Sequence, residues 1–229
     1  MNENAPAADS IVHRGSSGVM FRLPQTKDGS LGRLVTIFGS LGPSRQRWVH
    51  YVFDVGAPDY QEIVLPGDGS ICSVSPQVPA AAWYERELHD QYGVEVSGHP
   101  DLRPLAFHEN WPDGVHPMVD PVDRVPWAFR EYRFLTVQGD GIAEVAVGPV
   151  HAGIIEPGHF RFSVMGDTVL HLELRHFYTH KGTERLFDGA LFNAGTMIAE
   201  SVSGDNCFAH AVAYSQAVEN ACRADVPDS

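Results

Sequence analysis

The chain has 229 residues, 43% of them hydrophobic and 20% charged, enough apolar material to bury a core in one large domain or two small ones. Its 29 Asp and Glu against 16 Lys and Arg give a net charge of −13. That balance argues against a nucleic-acid binder, because neutralising phosphates needs a basic face. No apolar run approaches the roughly 20 residues that cross a bilayer, the amino terminus carries no apolar signal core, and Cys72, Cys207 and Cys222 show no pairing pattern. These features point to an acidic, cytoplasmic globular protein.

Residues 1 to about 30, rich in Ala, Ser, Gly and Asn, read as a flexible lead-in. Gly32 to Gly39 and Trp48 to Val55 are β-rich runs split by a Gly-Pro-Ser turn, which predicts adjacent antiparallel strands. Glu62 to Leu65 and Ser70 to Val74 are expected to extend the same sheet. Ala80 to Tyr92 predicts a helix ended by Gly93, with Ala81, Tyr84, Leu88 and Tyr92 on the face that packs on the sheet. Residues 99 to 127 hold six of the 16 prolines and read as an extended connection. Ala143 to Val147 opens a second β unit. His159 to Val164 and Thr168 to Leu174 flank Gly166-Asp167, a hairpin signal, with Phe160, Phe162 and Val164 on one face. A helix over Leu186 to Val202 is expected to break near Asp188-Gly189. Another starts at Asp205 as N-cap and runs to about Ala224, with Phe208, Ala211, Val212, Ser215, Val218 and Cys222 as a stripe. The fold class is α+β: a sheet with a packed helix, a Pro-rich connection, then a hairpin unit leading into helices.

Two strings stand out. Glu85-Arg86-Glu87-Leu88-His89-Asp90-Gln91-Tyr92-Gly93, followed by Gly98-His99-Pro100-Asp101-Leu102-Arg103 and Gly114-Val115-His116-Pro117, resembles the signature of the C-type subunit of the respiratory NADH-quinone oxidoreductase, complex I. Where that family usually has basic residues, this chain has Met118-Val119-Asp120. Gly148-Pro149-Val150-His151 through Glu156-Pro157-Gly158-His159-Phe160-Arg161-Phe162 is similar to the opening of the large subunit of energy-converting nickel–iron hydrogenases, whose complex I homologue is the quinone-binding D-type subunit. The strings His180-Lys181-Gly182-Thr183-Glu184 and Ser203-Gly204-Asp205-Asn206-Cys207 follow in matching order. The resemblance implies a lead-in over 1–30, a complex I C-type domain over 31–120, a linker over 121–142 and the N-terminal part of a D-type or hydrogenase large-subunit domain over 143–229. This fusion order is that of the formate hydrogenlyase group. Relatives of both kinds continue into a helical bundle, so another chain is expected to supply that part, or the chain is a truncated product that does not catalyse alone.

The resemblance also implies chemistry. A hydrogenase would carry Cys-Gly-x-Cys at the helix start near 203, because soft thiolates hold nickel and iron. Ser203 and Asn206 stand there and Cys207 is one position off, about 100° around a helix, so a nickel–iron centre is not expected. The chain has too few cysteines for iron–sulfur clusters, which are expected in partner subunits. Glu156 is the implied proton-transfer group, with a carboxyl raised by partial burial. The corresponding complex I loop gives a histidine to the quinone head group; an ungapped overlay puts Ile155 there, leaving His151 and His159 as the loop's candidates. His171 and His176 lack the short paired spacing of zinc ligands. Arg86 and Asp90 are spaced for an intrahelical ion pair, Lys181 and Glu184 for an i,i+3 pair at a helix start beside the cavity, and the 85–90 string is assigned to docking on neighbouring subunits. The implied function is that of a peripheral-arm subunit passing electrons from a reduced donor to quinone or protons. Its expected partners are a B-type iron–sulfur protein, other peripheral-arm subunits and membrane antiporter-like subunits, on the cytoplasmic face of the membrane. A non-catalytic scaffold or assembly remnant is the alternative from another class; a nickel–iron hydrogenase fragment is the third.

Overall fold

The computed structural model describes residues 12–14, 20–56, 59–122, 130–152 and 155–226. Contacts divide the chain into two compact units, one through Arg133 and one from Phe134.

In the first unit, β1 (Val12–Arg14) pairs antiparallel with β2 (Met20–Arg22). Part of the expected flexible lead-in is thus ordered, and Leu23 joins the core behind it; residues 1–11 and 15–19 lie outside the described residues. β3 (Arg33–Leu41), β4 (Arg47–Asp54) and β5 (Tyr60–Pro66) form an antiparallel sheet in that order, with β4 in the middle. Strand side chains alternate between faces, and β4 shows why this sheet holds: Val49, Tyr51 and Phe53 on one face are fully buried. The other face carries polar groups in a cross-strand chain, in which the Ser40 hydroxyl lies 2.7 Å from His50 Nε2 and His50 Nδ1 2.7 Å from Glu62.

Ser70 to Val74 does not extend this sheet as expected. β6 (Ser70–Cys72) pairs in parallel with β7 (Glu95–Ser97), and α1 (Ala81–Tyr92) is the crossover between them. A parallel pair needs such a connection, and the partner strand follows the helix at once. α1 ends at Gly93 as predicted: its φ of +66° suits the left-handed cap, and the His116 ring packs where a Cβ would stand. Ala81, Leu88 and Tyr92 are buried in the core and Tyr84 packs against it.

The polar residues of the same helix turn inward, against expectation. Glu85 is fully buried and accepts hydrogen bonds from the Ser73 hydroxyl at 2.6 Å and the Val74 N–H at 2.7 Å. The His99 ring stands 3.7 Å away, oriented by donation to the Ala82 carbonyl and by acceptance of the Asp101 N–H. Asp90 does not close an ion pair with Arg86. It accepts the N–H groups of Leu105 and Ala106, both at 2.8 Å, while Arg86 donates to the carbonyls of Arg103 and Pro104. These groups take up backbone donors and acceptors that an irregular segment leaves unpaired. Glu85, Arg86 and Asp90 therefore act inside the unit, holding residues 99–120 to α1.

That segment is consequently no plain connection. Leu105 and Ala106 are buried, Leu102, Met118 and Val119 pack on the core, and Asp120 accepts the His116 N–H at 2.8 Å. Its prolines exclude regular structure without preventing packing; residues 123–129 lie outside the described ones.

In the second unit, β8 (Ile142–Val147), β9 (His159–Met165) and β10 (Thr168–Arg175) form an antiparallel sheet in the order β10-β9-β8. The hairpin turns at Gly166-Asp167 as predicted. Phe160, Phe162 and Val164 share a face with Val145, Val147, Leu172 and Leu174 by register, and it is the open face: Leu172 is 43% exposed. The covered face is polar. There Ser163 and Glu173 are buried, Arg161 pairs with Glu144 and lies 4.7 Å from the centre of the Phe134 ring, and Glu173 accepts the Leu135 N–H.

The single helix expected over 186–202 is two: α2 (Thr183–Phe187) and α3 (Phe192–Glu200), parted around the foreseen Asp188-Gly189. A 3₁₀ turn at Gly204–Asn206 leads into α4 (Cys207–Cys222). Asn206, not Asp205, occupies the N-cap position. α4 packs on α3 through Tyr214, whose hydroxyl donates to the Phe192 carbonyl at 2.9 Å. No residue of α4 is buried, and Phe208 is 79% exposed. Among the described residues no helix is long and apolar enough to cross a membrane.

Candidate functional site

The loop from β8 to β9 is drawn tight at its base. Gly148 has a φ of +83°, and a Cβ there would collide with the Gly158 carbonyl and the His151 ring. Only glycine lets the two ends of the loop approach this closely. His151 Nε2 donates to the Gly158 carbonyl at 2.7 Å, and His159 Nδ1 to the Gly148 carbonyl at 3.3 Å. Both histidines thus brace the loop; residues 153–154 lie outside the described ones.

The loop faces the turn at the start of α4. Between them lies a cavity of about 540 Å³, lined on one side by Val150, His151, Ile155, Glu156 and Pro157 and on the other by the 203–206 turn. Glu156, His151, Ser203 and Asn206, picked out in sequence through one resemblance, therefore come together. His159 does not join them. It is buried beside Phe134, with ring centres 5.0 Å apart, and its Nε2 has no hydrogen-bond partner among the described residues.

Glu156 departs from expectation in its electrostatics. Its side chain is 57% exposed, and Lys181 Nζ donates to its Oε1 at 2.7 Å. That hydrogen bond holds the carboxyl below the ordinary glutamate range, outweighing the small upward effect of burial. Lys181 is not an i,i+3 partner of Glu184, because α2 starts only at Thr183. It also donates to the carbonyls of Ser201 at 3.1 Å and Val202 at 3.2 Å. Sequence placed Lys181 beside the cavity but not on Glu156, 25 residues away.

The donor set does not suit a nickel–iron centre. Ser203 and Asn206 offer a hydroxyl and an amide where soft thiolates would be required. Cys207 and Cys222 sit at opposite ends of α4, about 22 Å apart at 1.5 Å per residue. Among the described residues no group of three or more His, Cys, Asp or Glu could hold a metal ion. What the cavity offers is two carboxylates, Glu156 and Asp205, an imidazole and amide and hydroxyl groups beside apolar Val150 and Ile155, a lining suited to hydrogen-bonding and proton exchange.

Residues 45–123 match the family described as respiratory-chain NADH dehydrogenase, 30 Kd subunit. Over 164 residues, 68% of this chain, the sequence is 38% identical to hydrogenase-4 component G and 40% identical to formate hydrogenlyase subunit 5, both of Escherichia coli K12. It is 22% identical over 217 residues, 88% of this chain, to the C/D fusion subunit of an NADH-quinone oxidoreductase of Bdellovibrio bacteriovorus. The matched parts amount to 29%, 29% and 38% of those proteins' lengths, so the chain spans well under half of each.

Proposed function

Because residues 45–123 are a domain of the 30 Kd subunit family of respiratory-chain NADH dehydrogenase, and the chain is homologous to hydrogenase-4, formate hydrogenlyase and C/D-type quinone oxidoreductase subunits, we propose that it serves as a peripheral-arm subunit of a complex I-like or energy-converting hydrogenase-like oxidoreductase. Its first unit is the 30 Kd-type part, and its second is the opening of a D-type or hydrogenase large-subunit domain. Electrons come from a reduced donor through iron–sulfur clusters held by partner subunits, a B-type iron–sulfur protein foremost, at the cytoplasmic face of a membrane anchored by other subunits. The acceptor used at the cavity between the 148–158 loop and the 203–206 turn is a quinone; reducing protons there would need the thiolate-held metal that Ser203 and Asn206 do not supply.

The observation that carries this reading is the convergence of Glu156 and His151 with Ser203 and Asn206 around one cavity. Glu156 is the proton-carrying group there. It reaches both solvent, through its exposed edge, and the cavity it lines. His151 holds the loop in shape through Gly158 and lines the same cavity, its imidazole the natural side chain for proton exchange near neutral pH. His159 supports the loop from beneath through Gly148. No step runs through nickel.

Glu156→Gln keeps size and hydrogen-bonding reach and removes the titratable proton. General acid–base groups contribute roughly 10²–10⁴-fold, so turnover of the assembled complex should fall at least about tenfold with assembly and cluster content unchanged. The alternative, a non-catalytic scaffold, is favoured by Ser203 and Asn206 at the metal-ligand positions, and it expects the substitution to change nothing.

A further inference from the structure

Lys181 stands just before α2 and gives three hydrogen bonds, as many as an ammonium has protons. Two go to the carbonyls of Ser201 and Val202, on the turn that leaves α3 for the 203–206 wall of the cavity. The third goes to Glu156 Oε1, on the opposite wall. The Thr179 hydroxyl adds a longer contact to Oε2 at 3.4 Å. One side chain therefore fastens the two walls together, and the fastening ends on the group that the proposed function charges with carrying protons.

The three bonds differ in what they depend on. The carbonyl acceptors lie at the C-terminal end of α3, where the helix dipole favours a cation, and they do not titrate. The bond to Glu156 is charge-assisted only while the carboxyl is ionised. Adding a proton to Glu156 turns an ion pair into a neutral acid beside an ammonium, while the two carbonyl bonds persist. Lys181 stays on the turn and the carboxyl is let go. Among the described residues, charged or titratable groups on the same segments include His151 on the loop, Asp205 on the facing turn, Tyr178, His180 and Glu184 around Lys181 in the chain, and Glu200 and Cys207 flanking the 201–206 turn. Asp205 opposes release of an ionised Glu156 into the cavity and tolerates the neutral acid.

We propose that Lys181 is a positioning residue for Glu156: it fastens the ionised carboxylate to the 201–202 turn and releases it toward the cavity once it takes up a proton. Each proton gained or lost by Glu156 thus moves the carboxyl between a solvent-side clamp and the cavity interior. This rests on the reading of Glu156 as the proton carrier, and the two can be tested apart.

The test uses the full chain with carboxyl-labelled glutamate. The Glu156 resonance is assigned by its loss in Glu156→Gln and titrated by NMR in wild type, Lys181→Gln and Lys181→Arg. Lys181 is 42% exposed, so its replacement should leave the backbone amide spectrum intact away from 150–157 and 179–206. Lys181→Gln should move the Glu156 midpoint upward, toward the ordinary glutamate value of 4.5. Lys181→Arg, which keeps the charge, should stay near wild type. An unmoved midpoint in Lys181→Gln overturns the proposal. In the assembled complex, the acidic limb of the turnover–pH profile should shift upward by the same amount in Lys181→Gln. A shifted midpoint with an unshifted profile supports the clamp and removes the proton role of Glu156 instead.

Discussion

Asp90 is the group whose removal the first unit should feel most sharply. Its Oδ2 accepts the N–H groups of Leu105 and Ala106 at 2.8 Å and approaches that of Phe107 at 3.5 Å, and the residue is 4% exposed. Asp90→Ala leaves at least two buried amide donors without an acceptor. A buried donor stranded in this way costs about 1–3 kcal/mol, so the substitution should cost about 3–5 kcal/mol, a large share of the roughly 5–15 kcal/mol that holds a domain folded. For a unit of this size that lowers Tm by on the order of 10–20 °C. Asp90→Asn keeps one oxygen in place and should lose less. Burial raises the Asp90 carboxyl above its ordinary value of 3.8, against the downward pull of the three amides. The folded state therefore binds the proton more readily than the unfolded one, and that contribution is full below 3.8 and fades as pH rises through the native value. The stability difference between wild type and Asp90→Asn should shrink over the same window. Chemical denaturation at several pH values measures both, and hydrogen exchange should show Leu105 and Ala106 losing protection first. An Asp90→Ala cost under about 1 kcal/mol would refute the argument that Asp90 anchors this segment.

The remaining predictions concern other parts of the chain. Leu88→Ala, at a 2% exposed core position, should cost about 2–5 kcal/mol in denaturation, whereas Leu172→Ala on the open sheet face should cost under about 1 kcal/mol; equal costs would mean that face is covered in the isolated chain. Arg86→Lys should destabilise by about 1–2 kcal/mol, since an ammonium cannot span the Arg103 and Pro104 carbonyls as the guanidinium does. Purified protein should hold no stoichiometric nickel even with maturation machinery present, and elemental analysis finding about one per chain would return thiolate ligation to consideration. The isolated chain should bind dyes for exposed apolar surface and associate, through Phe208, Leu191 and Phe192, all more than 70% exposed, and a monomer with low dye signal would speak against this.

Elements whose cause is local were legible in the amino-acid sequence. The β-rich runs 32–39 and 48–55, split by a Gly-Pro-Ser turn, predicted an antiparallel pair, Gly93 ended α1, Gly166-Asp167 turned the second hairpin, and Asp188-Gly189 marked the gap after α2. Each depends on φ/ψ preference or on a period that a few neighbouring residues carry. The family was legible too, because its signature strings are contiguous. What sequence could not decide was where polar side chains find partners. Glu85, Asp90 and Arg86 have the spacing of a solvated helix face, yet they point to loops 11 to 18 residues away whose unpaired backbone groups need them. β6 looked like a fourth strand of the first sheet because pairing order is set by how the chain returns after α1, not by composition. On the second sheet, period-two alternation put the phenylalanines on one face without saying that the polar face would be the covered one. The cavity is tertiary throughout: Glu156 meets Lys181 and the 203–206 turn only because β9, β10 and α3 fold the chain back, and that meeting lowers a carboxyl that local reasoning expected to be raised.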